Sequence, residues 1–148
     1  GYNMRLEGIQ GAVLRVKLKY IEKWTEMRRE AARRYNEMFA GTGVVTPVEL
    51  PNRRHVYHIY QIRTPDRARW MEELGRQGIQ TGIHYPFPLH TLKAFDFLGY
   101  SQGQFPHSEK IAAETMSIPM FPELTAVQQE EVVSAVAALA KQTELQPA

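Results

Sequence analysis

The chain has 148 residues and a net charge of +2, with 43% hydrophobic and 23% charged residues. This length and composition predict one globular domain with a buried core and argue against wholesale disorder. The absence of cysteine excludes disulfides, cysteine-ligated zinc and thiol catalysis. No apolar run approaches the roughly 18–20 residues that cross a bilayer, so we expect neither a membrane protein nor a secreted one, and a cytoplasmic location.

Basic residues concentrate in the first half of the chain. Residues 1–76 carry 15 Lys and Arg against 9 Asp and Glu, whereas residues 77–148 carry 3 against 7. A basic half can bind nucleic acid or phosphate. Here the basic residues alternate with glutamates, which is more typical of a solvated helix face.

The first 40 residues predict one long amphipathic helix. Apolar residues recur every three or four positions from Leu6 to Met38, which makes a continuous stripe. Gly41 and Gly43 are expected to end the helix. A helix of this length, about 50–60 Å, is longer than a domain of this size is wide. We therefore expect it to contact something outside the domain or to bend.

A strand–helix–strand unit is predicted next. Segment 55–63 is rich in aromatic and β-branched residues, which favours a strand. Segment 67–77 is predicted to be helical, and segment 79–84 to be a second strand. The residues of the helix expected to face inward are Trp70, Met71 and Leu74.

The remaining segments predict short elements packed around that unit. They are an irregular stretch over 85–90, helices over 92–98 and 106–116 with Ser108 as a candidate cap, an extended piece over 117–121, and a last helix through Leu139 that opens on the capping box Thr125-x-x-Gln128. The architecture predicted from these elements is α+β, a small sheet with helices packed on it and a protruding N-terminal helix.

Two polar segments are candidate sites on their local chemistry. Asn3 and Arg5 combine an amide with a guanidinium fork that can grip a phosphate or carboxylate, although a capping asparagine before a helix explains the pair more simply. His84, Tyr85 and His90 lie at the end of a predicted strand stiffened by prolines. Such a segment can position hydrogen bonds to a polar ligand or move a proton near neutral pH, and ordinary loop residues are the open alternative.

The other histidines and the short motifs give no further evidence for a metal or catalytic site. A metal site would need a third ligand such as His107, and no spacing demands one, so we predict no metal. His55, Tyr57, His58 and Tyr60 are expected to be sheet residues. The sequence contains no Gly-Lys-Ser/Thr phosphate loop, no Gly-x-Gly-x-x-Gly and no Gly-x-Ser-x-Gly, so local chemistry alone names no reaction.

Four segments, in order, resemble the DegT/DnrJ/StrS family of sugar aminotransferases. They are Gly1-Tyr-Asn-Met-Arg5-Leu with Gln10-Gly-Ala12, His55-Val-Tyr-His-Ile-Tyr60, Gly78-Ile-Gln-Thr-Gly-Ile-His84-Tyr-Pro-x-Pro88-x-His90, and Phe105-Pro with Glu109-Lys110 and Ser117-Ile-Pro-Met-Phe-Pro-Glu-Leu-Thr125. The resemblance implies the aspartate-aminotransferase fold (fold type I) and a pyridoxal 5'-phosphate (PLP) cofactor. It further implies a homodimer that moves an amino group, from glutamate as donor, to a nucleotide-linked keto sugar.

The resemblance also implies that the cofactor lysine lies elsewhere. In the family a lysine of a large N-terminal domain, upstream of the Gly-x-Asn-x-Arg motif, holds the cofactor as a Schiff base. No lysine here has the family's surrounding pattern, and the first, Lys17, lies in the predicted long helix. We therefore expect an interdomain helix over 1–41, the C-terminal small domain over 42–141 and a tail over 142–148. Without its own N-terminal catalytic domain, this chain is expected to be inactive by itself.

Site residues follow by the same resemblance. Asn3 matches the asparagine that reaches the cofactor phosphate, commonly from the partner subunit, and Arg5 beside it is expected to place phosphate or substrate. His84 and Tyr85 match the segment lining the sugar-nucleotide pocket, with His90 as a further substrate-binding candidate. No nucleic acid or membrane partner is implied.

Two alternative functions stay open. One is a non-enzymatic regulatory or nucleic-acid-binding module built on the basic helix. The other is a PLP-dependent sugar dehydratase relative with histidine in place of the cofactor lysine.

Overall fold

The computed structural model describes residues 6–144, and within them the chain forms five α-helices and one two-stranded sheet. The elements in chain order are α1 (Gly8–Leu18), α2 (Ile21–Phe39), β1 (Tyr60–Arg63), α3 (Arg67–Arg76), two 3-10 turns (Leu89–Thr91 and Lys93–Leu98), α4 (Pro106–Glu114), β2 (Thr115–Ile118) and α5 (Ala126–Glu144). This mixture of helices with a small sheet confirms the predicted α+β class.

The predicted single long helix is two helices. The backbone N–H groups of Lys19 and Tyr20 bond to carbonyls three residues back, at 3.3 and 2.9 Å. This tighter pattern closes the last turn of α1 instead of continuing the helix. No residue of α1 is buried, whereas α2 buries one face. The apolar stripe therefore belongs to two helices in different surroundings.

Helices α2 and α5 pack against each other through small residues. Ala31 and Ala32 of α2 are fully buried, and their short side chains let the helix axes approach closely. Gln129 of α5 is also fully buried. Its amide donates to the carbonyl of Ala31 at 2.8 Å, and its side-chain oxygen accepts from Arg34 at 2.7 Å. A polar group inside this contact is thus fully paired, as buried polar groups must be.

The capping box before α5 is confirmed. The backbone N–H of Thr125 donates to the side-chain oxygen of Gln128 at 3.0 Å, and the N–H of Gln128 donates to the hydroxyl of Thr125 at 3.3 Å. Two N–H groups of the first turn, which have no partner within a helix, are satisfied in this way. The sequence signature therefore sets the start of α5.

The two strands run antiparallel and contribute buried residues to the core. Tyr60 pairs with Ile118, and Ile62 pairs with Met116. All four residues are buried, and they share one core with Trp70 and Leu74 of α3, which are buried as predicted, and Met71, which is partly buried. Helix α3 itself packs against α5.

Both predicted strands needed correction. Segment 55–63 is a strand only from Tyr60, because Arg28 donates to the carbonyls of Tyr57 and His58 at 3.5 and 3.1 Å. Those carbonyls are directed at a guanidinium instead of a neighbouring strand. Segment 79–84 is not a full strand and makes a single bridge, from Gly82 to Ser117 of β2. The partner of β1 is β2.

The helix predicted over 106–116 also ends early. α4 stops at Glu114, and the next four residues extend into β2. Its cap position is Phe105, with Pro106 in the first turn, and Ser108 is not the cap. Proline is favoured there because its missing N–H would have no helical partner.

Candidate functional site

A groove of about 1000 Å³ opens beside the segment that follows the Gly82 bridge. Its walls are mainly apolar, and the aromatic residues among them are Tyr85, Phe87, Phe95, Tyr100 and Phe105. The polar side chains in the lining are those of His84, His90, Ser108 and Thr115. A largely apolar cleft with a few polar groups is the usual form of a small-molecule site.

His84 is held to the sheet at the mouth of this groove. Its Nδ1 lies 2.9 Å from the hydroxyl oxygen of Ser117 on β2, and its carbonyl accepts from the side-chain amide of Gln61 on β1. The exposed ring of Tyr85 meets the imidazole edge-on at 5.7 Å. A second cavity of about 250 Å³ is also lined by His84 and Ser117. Ser117 therefore orients the imidazole, and Gln61 holds the backbone of the same residue.

His90 is held by a carboxylate that belongs to the closing motif of the family resemblance and was not predicted as a site residue. Its Nε2 lies 2.9 Å from Glu109 on α4, and its side chain is only 8% exposed. The same carboxylate accepts from the backbone N–H of Gly103 at 2.8 Å and of Phe105 at 3.3 Å. The signal for Glu109 was its place in the first turn of a helix, where acidic residues are favoured.

Glu109 is expected to stabilise the fold less in acid. Burial raises the pKa of Glu109, but the N–H of Gly103, the ring of His90 and the N–H of Phe105 together hold it below the ordinary value of 4.5. A carboxylate with a lowered folded pKa stabilises the fold above its unfolded pKa, and that contribution is lost as pH falls through the folded value. We expect Glu109→Gln to lower the melting temperature by a few degrees near neutral pH, and this difference to shrink below pH 4.5.

Circular dichroism melts of the wild-type chain and of Glu109→Gln, taken over a pH series, measure this difference. Glu130→Gln, at an exposed position on α5, is the matched control and is expected to follow the wild type. If the difference in melting temperature between wild type and Glu109→Gln were the same at neutral pH and well below pH 4.5, the ionised Glu109 would not be the source of that stability.

The structure brings His84, Tyr85 and His90 together on one groove. Asn3 and Arg5, the predicted phosphate contacts, lie outside the described residues 6–144, and their roles stay predictions. The three residues of the groove keep their predicted substrate roles as hypotheses.

Two of the four aromatic residues predicted to lie in the sheet over 55–60 belong to the core. Tyr57 and Tyr60 are buried, and burial raises the pKa of both hydroxyl groups. The Nδ1 of His55 accepts from the N–H of Tyr57 at 3.0 Å, and only Tyr60 of this group lies in a strand. His58 lines the smaller cavity.

In the part of the chain that the structure describes, no three His, Asp or Glu side chains are grouped so that they could hold a metal ion. No helix in that same part is long and apolar enough to cross a membrane.

The sequence profile of the DegT/DnrJ/EryC1/StrS aminotransferase family matches residues 1–137. The chain belongs to this family. A relative from Geobacillus stearothermophilus named "pleiotropic regulatory protein" is 46% identical over 140 residues, covering 93% of this chain and 38% of that protein. The dTDP-3-amino-3,6-dideoxy-α-D-galactopyranose transaminase of Aneurinibacillus thermoaerophilus is 37% identical over 136 residues, covering 92% and 37%.

Solved structures of the family share the fold. DesV from S. venezuelae, in complex with a ketimine intermediate, matches with a TM-score of 0.88 and 34% identity over 95% of this chain and 38% of that one. A family aminotransferase from Brucella abortus matches with a TM-score of 0.84 and 33% identity over 95% and 37%. The chain thus resembles a part of these fold-type I aminotransferases and spans somewhat more than a third of their length.

Family membership makes PLP the expected cofactor, and the described residues can be tested for a site that fits it. A PLP enzyme needs a lysine beside the reacting carbon. Among residues 6–144, no lysine lines either cavity. Neither of these two cavities therefore supplies the lysine that a PLP site requires.

Proposed function

We propose that this chain is the C-terminal, substrate-facing part of a PLP-dependent aminotransferase that transfers an amino group, with glutamate as donor, to a nucleotide-linked keto sugar. The observation that carries the proposal is the single groove that holds His84, Tyr85 and His90. The similarity to transaminases named for dTDP-linked amino sugars supports the substrate class.

The groove residues are suited to hold a sugar nucleotide. Because His84 uses Nδ1 for Ser117, its Nε2 is the ring nitrogen left for a substrate hydroxyl or phosphate oxygen. Tyr85, which is 75% exposed, offers an aromatic face and a phenol that can donate or accept. In this proposal Asn3 contacts the cofactor phosphate, and Arg5 contacts phosphate or substrate. The bond-making chemistry belongs, in this proposal, to an N-terminal catalytic domain.

The isolated chain is expected to form no specific adduct with PLP. Mixing the purified 148 residues with PLP, reducing with borohydride and mapping pyridoxyl groups by mass spectrometry tests this directly. We expect scattered, substoichiometric labelling, because no lysine among the described residues lines a cavity. The Aneurinibacillus transaminase, treated in parallel, is the positive control. A stoichiometric adduct at one lysine would contradict the proposal that the bond-making chemistry belongs to an N-terminal catalytic domain.

We also propose that the active enzyme is a homodimer, and that the isolated chain self-associates. Helix α1 exposes apolar side chains, with Ile9 80% and Val13 52% exposed, and such surfaces mark interaction sites. Light scattering after size exclusion is expected to give a mass above that of one chain. The variant with Ile9→Glu and Val13→Glu is expected to shift the mass toward a monomer. A strictly monomeric wild-type chain would count against this surface.

The test of the proposed function uses the product of the complete reading frame that encodes this chain. It is incubated with PLP, 2-oxoglutarate and either dTDP-3-amino-3,6-dideoxy-α-D-galactopyranose or dTDP-3-amino-3,4,6-trideoxy-α-D-glucose, the amino sugars in the names of two relatives. Run in this reverse direction, transamination forms glutamate, which is measured. We expect glutamate that depends on the sugar nucleotide. No glutamate with either sugar would overturn the proposal.

A regulatory protein is the second candidate, because the Geobacillus relative carries that name. If regulation involved nucleic acid, the basic half of the chain would bind it with a steep salt dependence. Three of its arginines are instead paired with glutamates, Arg29 with Glu49, Arg33 with Glu30 and Arg54 with Glu22. We therefore favour the enzyme. Salt-dependent DNA binding at micromolar or better affinity, without transamination, would reverse this preference.

A further inference from the structure

The two walls of the groove are anchored in different ways. The wall that carries His84 is tied to the sheet, because Ser117 and Gln61 of the two strands both bond to that residue. A second wall of the groove contains the two 3-10 turns and the loop that leads to α4. The residues of these turns are exposed or half-buried, while the imidazole of His90 is only 8% exposed. The contacts of that imidazole therefore matter for the position of the second wall.

One carboxylate joins the parts of this second wall. Glu109 accepts from Gly103 through both oxygens, at 2.8 and 3.0 Å, and from Phe105 at 3.3 Å. The same carboxylate lies 2.9 Å from the ring of His90, which belongs to the first 3-10 turn. The first 3-10 turn and the loop over 103–105 thus converge on a single side chain that α4 carries.

The rings beside the carboxylate extend this contact along the wall. His90 packs against Phe105 at 4.8 Å between ring centroids, and Phe105 packs against Tyr100 at 5.1 Å. Gly103 has a φ of +93°, a conformation that side chains disfavour, and its N–H donates to the carboxylate. All three rings line the groove. Their placement therefore depends on the bonds that Glu109 accepts.

We propose that Glu109 is a positioning residue that sets the width of the groove and, through it, the affinity for the sugar nucleotide. The inference rests on the proposed function, since it assigns the groove to that substrate. Glu109 acts through His90 and the loop at Gly103 and does not itself line the groove. Its loss should therefore weaken substrate binding more than turnover.

The kinetic test compares Glu109→Gln with the wild type in the product of the complete reading frame. The glutamine keeps the length of the side chain, loses the charge and replaces one acceptor oxygen with a donor. With dTDP-3-amino-3,6-dideoxy-α-D-galactopyranose and 2-oxoglutarate, we expect KM for the sugar to rise about tenfold and kcat to change less than about twofold. Glu130→Gln, exposed on α5, is expected to leave both constants unchanged.

Nuclear magnetic resonance of the labelled 148-residue chain reports the geometry itself. In the wild type we expect a slowly exchanging Gly103 amide and a His90 ring that is protonated at Nε2. In Glu109→Gln we expect faster exchange at Gly103 and loss of the fixed Nε2–H form of His90. An unchanged Gly103 amide and His90 ring in the variant would overturn the inference.

The outcomes separate this inference from the proposed function. If the wild-type product forms no glutamate, the proposed function fails and the inference fails with it. If the wild type is active and Glu109→Gln leaves KM unchanged, or lowers kcat alone, only the inference is overturned. Should Glu109→Gln not fold, Glu109→Asp keeps the charge and loses reach. It is expected to raise KM by a smaller factor, and an unchanged KM in that variant would equally overturn the inference.

Discussion

Replacing Tyr35 with alanine is expected to lower the free energy of unfolding by about 3–5 kcal/mol, the range for a fully buried aromatic side chain. Tyr35 has no exposed surface, and its ring packs against Phe39 and Tyr60 with centroids 5.8 and 4.9 Å away. Its hydroxyl donates to the carbonyl of Pro119 at 3.0 Å. The alanine variant would leave both a cavity between α2 and the sheet and a carbonyl without its donor.

Urea unfolding of matched variants divides this effect into its parts. Tyr35→Phe keeps the ring and removes the hydroxyl, so we expect it to lose about 1–3 kcal/mol for the unpaired acceptor. Tyr20→Ala, at a 48% exposed position, is expected to lose less than about 1 kcal/mol. If Tyr35→Ala were no less stable than Tyr20→Ala, the described core would be wrong.

Replacing His84 with alanine is expected to reduce kcat/KM about ten- to hundredfold, because a hydrogen bond to a charged or polar substrate group contributes about 1.5–3 kcal/mol. The imidazole is oriented before substrate arrives, since Ser117 holds its Nδ1 at 2.9 Å. Ser117→Ala keeps the ring and frees its orientation. We therefore expect a smaller loss of kcat/KM in that variant.

Steady-state kinetics of the complete reading-frame product measure these differences. The control is His107→Ala, because His107 is exposed on α4 and lines neither cavity. We expect its kcat/KM to match the wild type. Equal kcat/KM for His84→Ala and His107→Ala would remove His84 from the substrate site.

Elements with a local signature were predictable from the sequence. The capping box at Thr125 and Gln128 sets the start of α5, and the apolar spacing in α3 places Trp70 and Leu74 in the core. Each of these depends on residues within one or two helical turns. The polar, proline-stiffened strand end identified His84 as a candidate, the resemblance assigned it a substrate role, and the family membership was confirmed.

Elements decided by distant contacts were not predictable in the same way. The break between α1 and α2 has neither glycine nor proline to mark it. Arg28 ends the strand-like segment before β1 by bonding to carbonyls that lie about 30 residues away in sequence. The contact of Glu109 with His90 joins residues that lie 19 positions apart in the chain. In each case tertiary contacts override or supplement the local pattern.

In the proposed function, this chain forms the substrate wall of a sugar aminotransferase. A crystal structure of the complete reading-frame product with dTDP-3-amino-3,6-dideoxy-α-D-galactopyranose tests this arrangement. We expect sugar-nucleotide atoms within about 4 Å of His84 and Tyr85, the distance of direct contact. A sugar nucleotide bound with no atom in the groove would contradict it.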